Sequence, residues 1–351
     1  MNTTDPSLPF SYLSPPPPTS DPSSGTDCGS DLDDVLEEDS KKDDDPHIKG
    51  IIETYLASVK DKLVKEILSH RMPDCYMAKT FWINPPDHFF ALKKSLESSD
   101  GLNPISLYYP RIFVWLPEFL GNSPIACQNS ECQFYKDLSH PMTVKGWNDN
   151  PIAHRVVGLD QNYFIITKRI QCQKFPNSDS SGCGKSLNYY DPAVLSQLDP
   201  ALVAEFPAFL THRSGIDKTL MALIRAGLAH CLSSSAWSKV LREIHVREHD
   251  LREIKYLQAI QRDIKFKKNH GYGVPSYQPF STFNNESEYA GFYPSRWFIN
   301  GIYMDFMEEI RPVSLSSDRL CDQMGPFLQA SYIYDKAQWH CNICCFIYSC
   351  K

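Results

Sequence analysis

No apolar run in the 351-residue sequence approaches the roughly 18 to 20 residues that a helix needs to span a bilayer. The first residues also lack the basic and apolar regions of a secretory signal peptide. We therefore expect a soluble, intracellular protein with no membrane partner, and the nucleus is a candidate location. In a reducing compartment, the twelve cysteines are expected as free thiols or metal ligands and not as disulfides.

The sequence also lacks the strong excess of positive charge that is typical of a dedicated nucleic-acid-binding domain. Its formal net charge is −7. Residues 1–45 contain twelve acidic and two basic side chains, a balance of −10, so residues 46–351 carry +3. A mildly basic remainder is compatible with binding nucleic acid but falls far short of the charge of a strong binder.

Composition divides the chain into five segments, and no internal repeat is visible. Residues 1–46 are rich in Ser, Thr, Asp and Pro and predict a disordered acidic tail, because they cannot bury enough apolar surface to offset their ordering entropy. We predict a helical N-terminal segment over 47–104, a zinc-ribbon-like β domain over 105–190 and a helical region over 191–312. A truncated C-terminal strand and tail are predicted over 313–351, and the predicted fold class is α+β.

The spacing of apolar residues supports this division. Apolar residues that recur at three- and four-residue steps predict amphipathic helices, and β-branched and aromatic runs bounded by turn residues predict strands. The predicted helices cover 51–68, 220–228 and, as one or two long helices, 237–264; the predicted strands cover 112–116, 155–159 and 163–167.

Two separated cysteine pairs, Cys127 with Cys132 and Cys172 with Cys183, enclose two of the predicted strands. This is the layout of a zinc ribbon, in which two turns donate four thiolates to one tetrahedral Zn²⁺. The first pair has four intervening residues, at the loose end of the usual spacing, and the second has ten, which is outside it. The insert before Cys183 is polar and turn-forming, so we interpret it as an extended loop. The sequence predicts one structural zinc ion; four ordinary thiols are the alternative.

Basic residues in two places are candidates for contacts with nucleic-acid phosphates. The candidates are Lys168 and Arg169 beside the second cysteine pair, and Arg262, Lys265, Lys267 and Lys268 at the end of the long predicted helix. The alternative for the second set is that cations at a helix C-terminus complement the helix dipole.

His245 and His249 fall in an HxxEH pattern, which in some metalloproteases binds zinc and supplies a glutamate as base. The sequence signals no third acidic ligand downstream. Because the surrounding residues place apolar side chains on one helix face and charges of alternating sign elsewhere, we interpret the pattern as the solvated face of an amphipathic helix.

An ordered series of motifs carries a resemblance to a known family. The motifs are Phe113-Val114-Trp115, Cys127 and Cys132, Gly146-Trp147, Arg155-Val156-Val157, Tyr163, Cys172 and Cys183, Leu198-Asp199, Phe206-Pro207, Arg213 and Pro294-Ser295. Over roughly residues 105–335 the chain resembles a fungal and animal domain of unknown function with a zinc ribbon, found N-terminal to RNase-H-like transposase regions. The resemblance implies a zinc-ribbon and helical module derived from a mobile element.

The resemblance also implies a strand with a first catalytic carboxylate after the Pro-Ser motif. Ser331 stands where that aspartate is expected, and Asp335 lies four residues later. Two-metal phosphoryl transfer needs several converging carboxylates, so we expect no catalysis. The predicted function is an uncharacterised, transposon-derived zinc-ribbon module associated with nucleic acid, with DNA as the candidate partner. The alternatives are a protein-interaction scaffold that uses amphipathic helices and a truncated fragment of an RNase-H-like transposase.

Overall fold

The computed structural model describes residues 50–97, 101–121, 124–174, 181–212 and 214–307. The predicted acidic tail and the predicted C-terminal strand and tail lie outside these residues. Within them, the predicted α+β class is confirmed, because several helices pack on one curled sheet. None of the described helices combines the length and the apolar character needed to cross a membrane.

The elements follow in chain order. The described helices are α1 (Ile51–His70), α2 (Asp74–Met77), α3 (His88–Glu97), α4 (Pro192–Leu195), α5 (Pro200–Ala204), α6 (Lys218–Ala229), α7 (Ser234–Asn269) and α8 (296–307), with short 3-10 turns at Ile105–Leu107 and Pro117–Phe119. The strands are β1 (Trp82–Ile83), β2 (Ile112–Trp115), β3 (Thr143–Trp147), β4 (His154–Val157), β5 (Tyr163–Gln171), β6 (Ser186–Asn188), β7 (Ala208–Leu210) and β8 (Ser214–Asp217).

Strand β5 organises the sheet. The order is β1-β2-β5-β4-β8-β7, and β3 and β6 also pair with β5. The first half of β5 pairs with β2 in parallel and with β4 in antiparallel orientation, whereas residues 168–171 pair with β3 and β6. Because its second half leaves the main sheet, β5 carries Cys172 into the small lobe formed with β3 and β6.

Strand β2 lies in the interior with both faces covered. Ile112, Val114 and Leu116 belong to the apolar cluster that contains α1 and part of α7. Phe113 and Trp115 point to the opposite side and belong to the cluster that contains the cysteines of the small lobe. Successive side chains of a strand alternate between faces, and a strand buried on both faces has a continuous apolar sequence.

The sheet extends beyond the predicted β domain of residues 105–190. Strand β1 comes from the predicted helical N-terminal segment, and β7 and β8 come from the predicted helical region. These strands have two to four residues, too few for an alternation to be recognised. Their positions are set by tertiary contacts, as when Ile216 of β8 packs with Val157 and Leu220.

The strands predicted over 112–116, 155–159 and 163–167 are confirmed as β2, β4 and β5. The helices predicted over 51–68 and 220–228 are confirmed as α1 and α6. The one or two long helices predicted over 237–264 form a single helix, α7, of 36 residues. The hydroxyl of Ser233 caps its N-terminus by accepting a hydrogen bond from the amide of Ala236 at 3.1 Å.

Candidate metal centre

Both cysteine pairs lie on turns that main-chain hydrogen bonds close. In the first turn, the amide of Lys136 donates to the carbonyl oxygen of Cys127 at 2.8 Å. In the second, the amide of Cys172 donates to the carbonyl oxygen of Lys185 at 3.0 Å, directly after β5 ends. Each turn thus presents two sulfur atoms on one side, as a thiolate site requires.

The four sulfur atoms converge on one point. All lie within 4.8 Å of one another. The Sγ atoms of Cys127 and Cys183 are 3.6 Å apart, and those of Cys132 and Cys172 are 3.7 Å apart. A disulfide would bring two sulfurs to about 2.05 Å, so these cysteines are free thiols. A tetrahedron with Zn–S bonds of about 2.3 Å has sulfur–sulfur edges of about 3.8 Å, close to the two distances observed.

Backbone amides point at three of the sulfurs. The amide of Asn129 is hydrogen-bonded to Cys127, that of Cys183 to Cys172, and that of Lys185 to Cys183. Hydrogen bonds donated to a sulfur stabilise its thiolate form. The turns therefore supply donors that partly offset the cost of gathering negative charge at a buried site.

Burial opposes ionisation at the inner thiols. It raises the pKa of Cys127 to about 12 and also raises the pKa of Cys172. Burial acts in the same direction on Cys183, but hydrogen bonds from the Lys185 amide, the Asn129 side chain and neighbouring thiols outweigh it and lower that pKa to about 7. A cation that binds the four sulfurs must displace protons from the inner thiols and supply the missing positive charge.

The turn that carries Cys183 requires glycine on both sides of this cysteine. At Gly182, an added Cβ would lie 2.5 Å from Sγ of Cys172, so no larger side chain fits there without displacing the site. Gly184 has a φ of +74°, in the left-handed region that favours glycine. The Gly-Cys-Gly sequence thus follows from the backbone of a sulfur-bearing turn.

The donor set fits Zn²⁺. Four thiolates are soft ligands, and a tetrahedral all-cysteine set is typical of structural zinc. Three of the four side chains are buried, and the fourth, that of Cys183, faces solvent. All four coordination positions would come from the chain.

Lys168 and Arg169, the predicted phosphate-binding residues beside the second cysteine pair, already interact with other groups of the protein. Nζ of Lys168 lies 2.9 Å from Oε1 of Glu118 and about 5 Å from the rings of Phe119 and Trp147. The guanidinium of Arg169 contacts the carbonyl oxygen of Trp147 at 3.5 Å. Both side chains are mostly enclosed, so they do not project from the lobe as a free basic patch.

The predicted contacts at the end of α7 are more accessible. Lys267 forms an ion pair with Asp263 at 2.6 Å. Arg262, Lys265 and Lys268 are exposed and form no ion pair with a carboxylate among the residues that the structure describes. The structure therefore brings the four cysteines together and places the six basic candidates on two different elements, β5 and α7.

The interpretation of the HxxEH pattern as a solvated helix face is wrong. His245 and His249 are 3% and 6% exposed. Nδ1 and Nε2 of His245 lie 2.9 and 3.0 Å from the carbonyl oxygens of Phe292 and Gly158, and Nε2 of His249 lies 2.8 Å from that of Ser281. Both rings are buried because they bind the backbone of loops that pack on α7, an arrangement that the charge pattern did not predict.

A second group of metal-capable side chains also lies on α7: His249, Asp250 and Glu253. Nδ1 of His249 is 3.0 Å from Oδ1 of Asp250, whose side chain is 58% exposed. Nε2 of His249 already contacts the carbonyl oxygen of Ser281, and the group offers one histidine and two carboxylates without a cysteine. This group does not match a structural zinc site.

Sequence reasoning missed the amide donors of Asn129 and Lys185 and the steric role of Gly182. Each donor lies two residues after a cysteine, and that spacing is the signal that could have identified it.

The model of one protein family, DUF6729, a domain of unknown function, matches residues 63–301. The matched span includes all four cysteines and the strands β1 to β8. No curated protein and no solved structure gives a significant match. Functional proposals for this chain therefore depend on its own geometry.

Proposed function

We propose that this chain, which belongs to the DUF6729 family, is a non-catalytic module that binds one structural Zn²⁺ and associates with nucleic acid. The convergence of four cysteine sulfurs within 4.8 Å carries the zinc assignment. Four protein thiolates would complete a tetrahedral shell, whereas catalytic zinc keeps one position for water or substrate. The site thus favours a structural role.

The surroundings of the sulfurs also favour a structural role. Cys127, Cys132 and Cys172 belong to the same apolar cluster as Trp115 and Phe113 of β2. In the described part of the lobe around them, the short strands β3 and β6 pair with β5. A metal that joins both turns would tie this lobe to the main sheet.

Metal analysis of the purified full chain tests the zinc assignment. We expect one zinc per chain by plasma mass spectrometry, retained through gel filtration, because a closed tetrathiolate site binds zinc tightly. A folded protein without stoichiometric metal would contradict the proposal. Iron in place of zinc would correct the identity of the metal and leave the site in place.

The proposed association with nucleic acid is supported by the exposed cations at the end of α7, which form no ion pair with any described carboxylate. We expect the log Kd for duplex DNA to rise linearly with the logarithm of the salt concentration, because each phosphate contact releases counterions. Replacing Lys265 and Lys268 by glutamine should reduce that slope by about 1.8. The control variant, Lys93→Gln with Lys94→Gln, removes the same charge from exposed positions of α3. Binding that is insensitive to salt, or equally weakened by the control, would contradict the proposal.

A second candidate function is that of a protein-interaction scaffold. Leu251, Ile254 and Leu257 follow each other at three-residue steps on α7 and are 39 to 51% exposed. Such a stripe favours an apolar partner surface. A partner held there would bind with little dependence on salt, which separates the two candidates in the same experiment. The transposon origin implied by the family resemblance concerns descent and stays a prediction.

A further inference from the structure

A cleft of about 660 Å³ lies between the loop that leads into α3 and the middle of α7. Its walls come from residues 84–89, from Tyr109 and Arg111 before β2, and from one side of α7 between Glu248 and Arg262. The volume is in the range of small-molecule sites, about 300 to 1,000 Å³. None of the four cysteines lines the cleft, so it is separate from the metal centre.

The cleft carries an excess of positive charge. Arg111, Lys255 and Arg262 line it and are exposed, and none of the three forms an ion pair with a carboxylate among the described residues. Two acidic side chains line the cleft, Asp87 and Glu248, and Glu248 forms an ion pair with Arg252. With that pair neutral, the three exposed cations outnumber Asp87 and leave a net positive charge that an anion would compensate.

Hydrogen bonds hold the buried side chain that lines the cleft on α7. Arg252 is 4% exposed; its Nη1 donates to the carbonyl oxygen of Leu107 at 2.9 Å and its Nε to Glu248 at 3.0 Å. Burial, and then the charges of Arg252 and Lys255, lower the pKa of His88 to about 4. At neutral pH the uncharged ring of His88 accepts a hydrogen bond from Nζ of Lys255 at 3.0 Å, which holds that ammonium group at the cleft.

Aromatic and amide groups lie beside the cations. Phe89 is 60% exposed at the cleft. The ring of Tyr109 stacks on that of Tyr55 with centroids 4.1 Å apart and an interplanar angle of 6°, so its position is fixed. The amides of Asn84 and Gln258 complete the polar lining. Cations next to exposed aromatic rings are the combination with which proteins bind single-stranded nucleic acid.

We propose that this cleft binds a phosphate-bearing nucleotide, either free or as one unit of a single strand. Arg111 and Lys255 would bind the phosphate, since guanidinium groups bind phosphate oxygens in pairs and an ammonium group adds a point charge. Phe89 would stack on the base. The choice of a nucleotide over other phosphates rests on the proposed association with nucleic acid, whereas the anion site rests on the cleft alone.

Binding measurements on the zinc-loaded full chain test the phosphate part. The probes are sodium pyrophosphate, thymidine monophosphate and a labelled deoxythymidine strand of about 12 nucleotides. Arg111→Gln with Lys255→Gln should weaken binding of each probe that binds by at least about tenfold, and should lower the salt slope of the strand by about 1.4. The control, Lys93→Gln with Lys94→Gln, should change the affinities by less than about twofold.

A second pair of variants tests the proposed stacking of Phe89 on the base. Phe89→Ala should weaken nucleotide and strand binding by about tenfold and leave pyrophosphate binding unchanged, because stacking is lost and the charges stay. Trp297→Ala is the control: Trp297 is an aromatic side chain on α8 that is 70% exposed and does not line the cleft. Binding of the strand alone would assign the site to strands, and tighter binding of the mononucleotide would assign it to free nucleotides; both support the proposal.

Several outcomes would overturn it. If none of the three probes binds, or if the lysine control weakens binding as much as the cleft variant, the cleft is not an anion site. If Phe89→Ala leaves nucleotide affinity unchanged, the ligand is not a nucleotide. If duplex binding depends on Lys265 and Lys268 but the cleft variants keep all affinities, the cleft proposal fails and the association with nucleic acid stands. Zinc content and the thermal midpoint of each variant confirm that it is folded.

Discussion

Replacing Cys132 by serine is expected to abolish stoichiometric zinc binding and to unfold the lobe formed by the two cysteine turns, β3 and β6. Cys132 is 6% exposed and its Sγ lies 3.7 Å from that of Cys172, so a hydroxyl there removes an inner ligand. Structural zinc contributes about 10 to 16 kcal/mol of binding free energy in small zinc domains, whereas a whole domain is stable by only about 5 to 15 kcal/mol. The lobe should therefore not stay folded without the ion.

Zinc content and limited proteolysis followed by mass spectrometry measure this effect. In the variant, new cleavage sites should lie within residues 124–190, and removal of zinc from the wild-type chain by a chelator should expose the same sites. Cys231→Ser is the matched control, because Cys231 is an exposed free thiol outside the site. Full zinc occupancy and unchanged protease resistance in Cys132→Ser would show that the four sulfurs are ordinary thiols.

The cysteine cluster could be predicted from the sequence in spite of the ten residues between Cys172 and Cys183. The structure explains why the insert is tolerated. The amide of Gly182 donates to the carbonyl oxygen of Gln173 at 2.8 Å, and that of Cys172 donates to Lys185 at 3.0 Å. These bonds close the turn on both sides of the insert, so the insert's length leaves the position of the two sulfurs unchanged.

Other parts of the fold carry no local signal. Strand β8 has the sequence Ser-Gly-Ile-Asp, in which a single large apolar residue cannot show an alternation. His245, His249 and Arg252 stand in a charge-rich stretch that suggests a solvated face, yet all three are buried because segments distant in sequence offer carbonyl oxygens to them. Tertiary partners decide such positions, and the sequence of the helix does not contain them.

The cations that line the cleft could not be grouped from the sequence either, because they come from separate elements. Arg111 directly precedes β2, whereas Lys255 and Arg262 lie on one side of α7. The proximity of these cations therefore depends on how α7 packs against the sheet. The basic end of α7 was visible in the sequence, because Lys265, Lys267 and Lys268 are close neighbours in the chain. Charges that converge from separate elements become visible only in the folded structure.

Replacing Trp115 by alanine is expected to reduce the free energy of unfolding by about 4 kcal/mol, a large part of the stability of a typical domain. Trp115 is fully buried, and its ring packs against Phe206 at 5.1 Å between centroids. Its indole Nε1 donates to the carbonyl oxygen of Tyr189 at 3.1 Å. Truncation would leave a cavity and also a buried carbonyl without its donor, and both effects destabilise the folded state.

Urea unfolding of the zinc-loaded chain, followed by circular dichroism, measures the loss. Trp115→Phe is the matched control: it keeps most of the apolar volume but loses the hydrogen bond to Tyr189, so we expect a loss of about 1 to 2 kcal/mol. The difference between the two variants then gives the contribution of packing on the cysteine side of β2. If Trp115→Ala lost no more than the phenylalanine variant, this side of the sheet would be loosely packed, and the metal alone would join the cysteine lobe to the core.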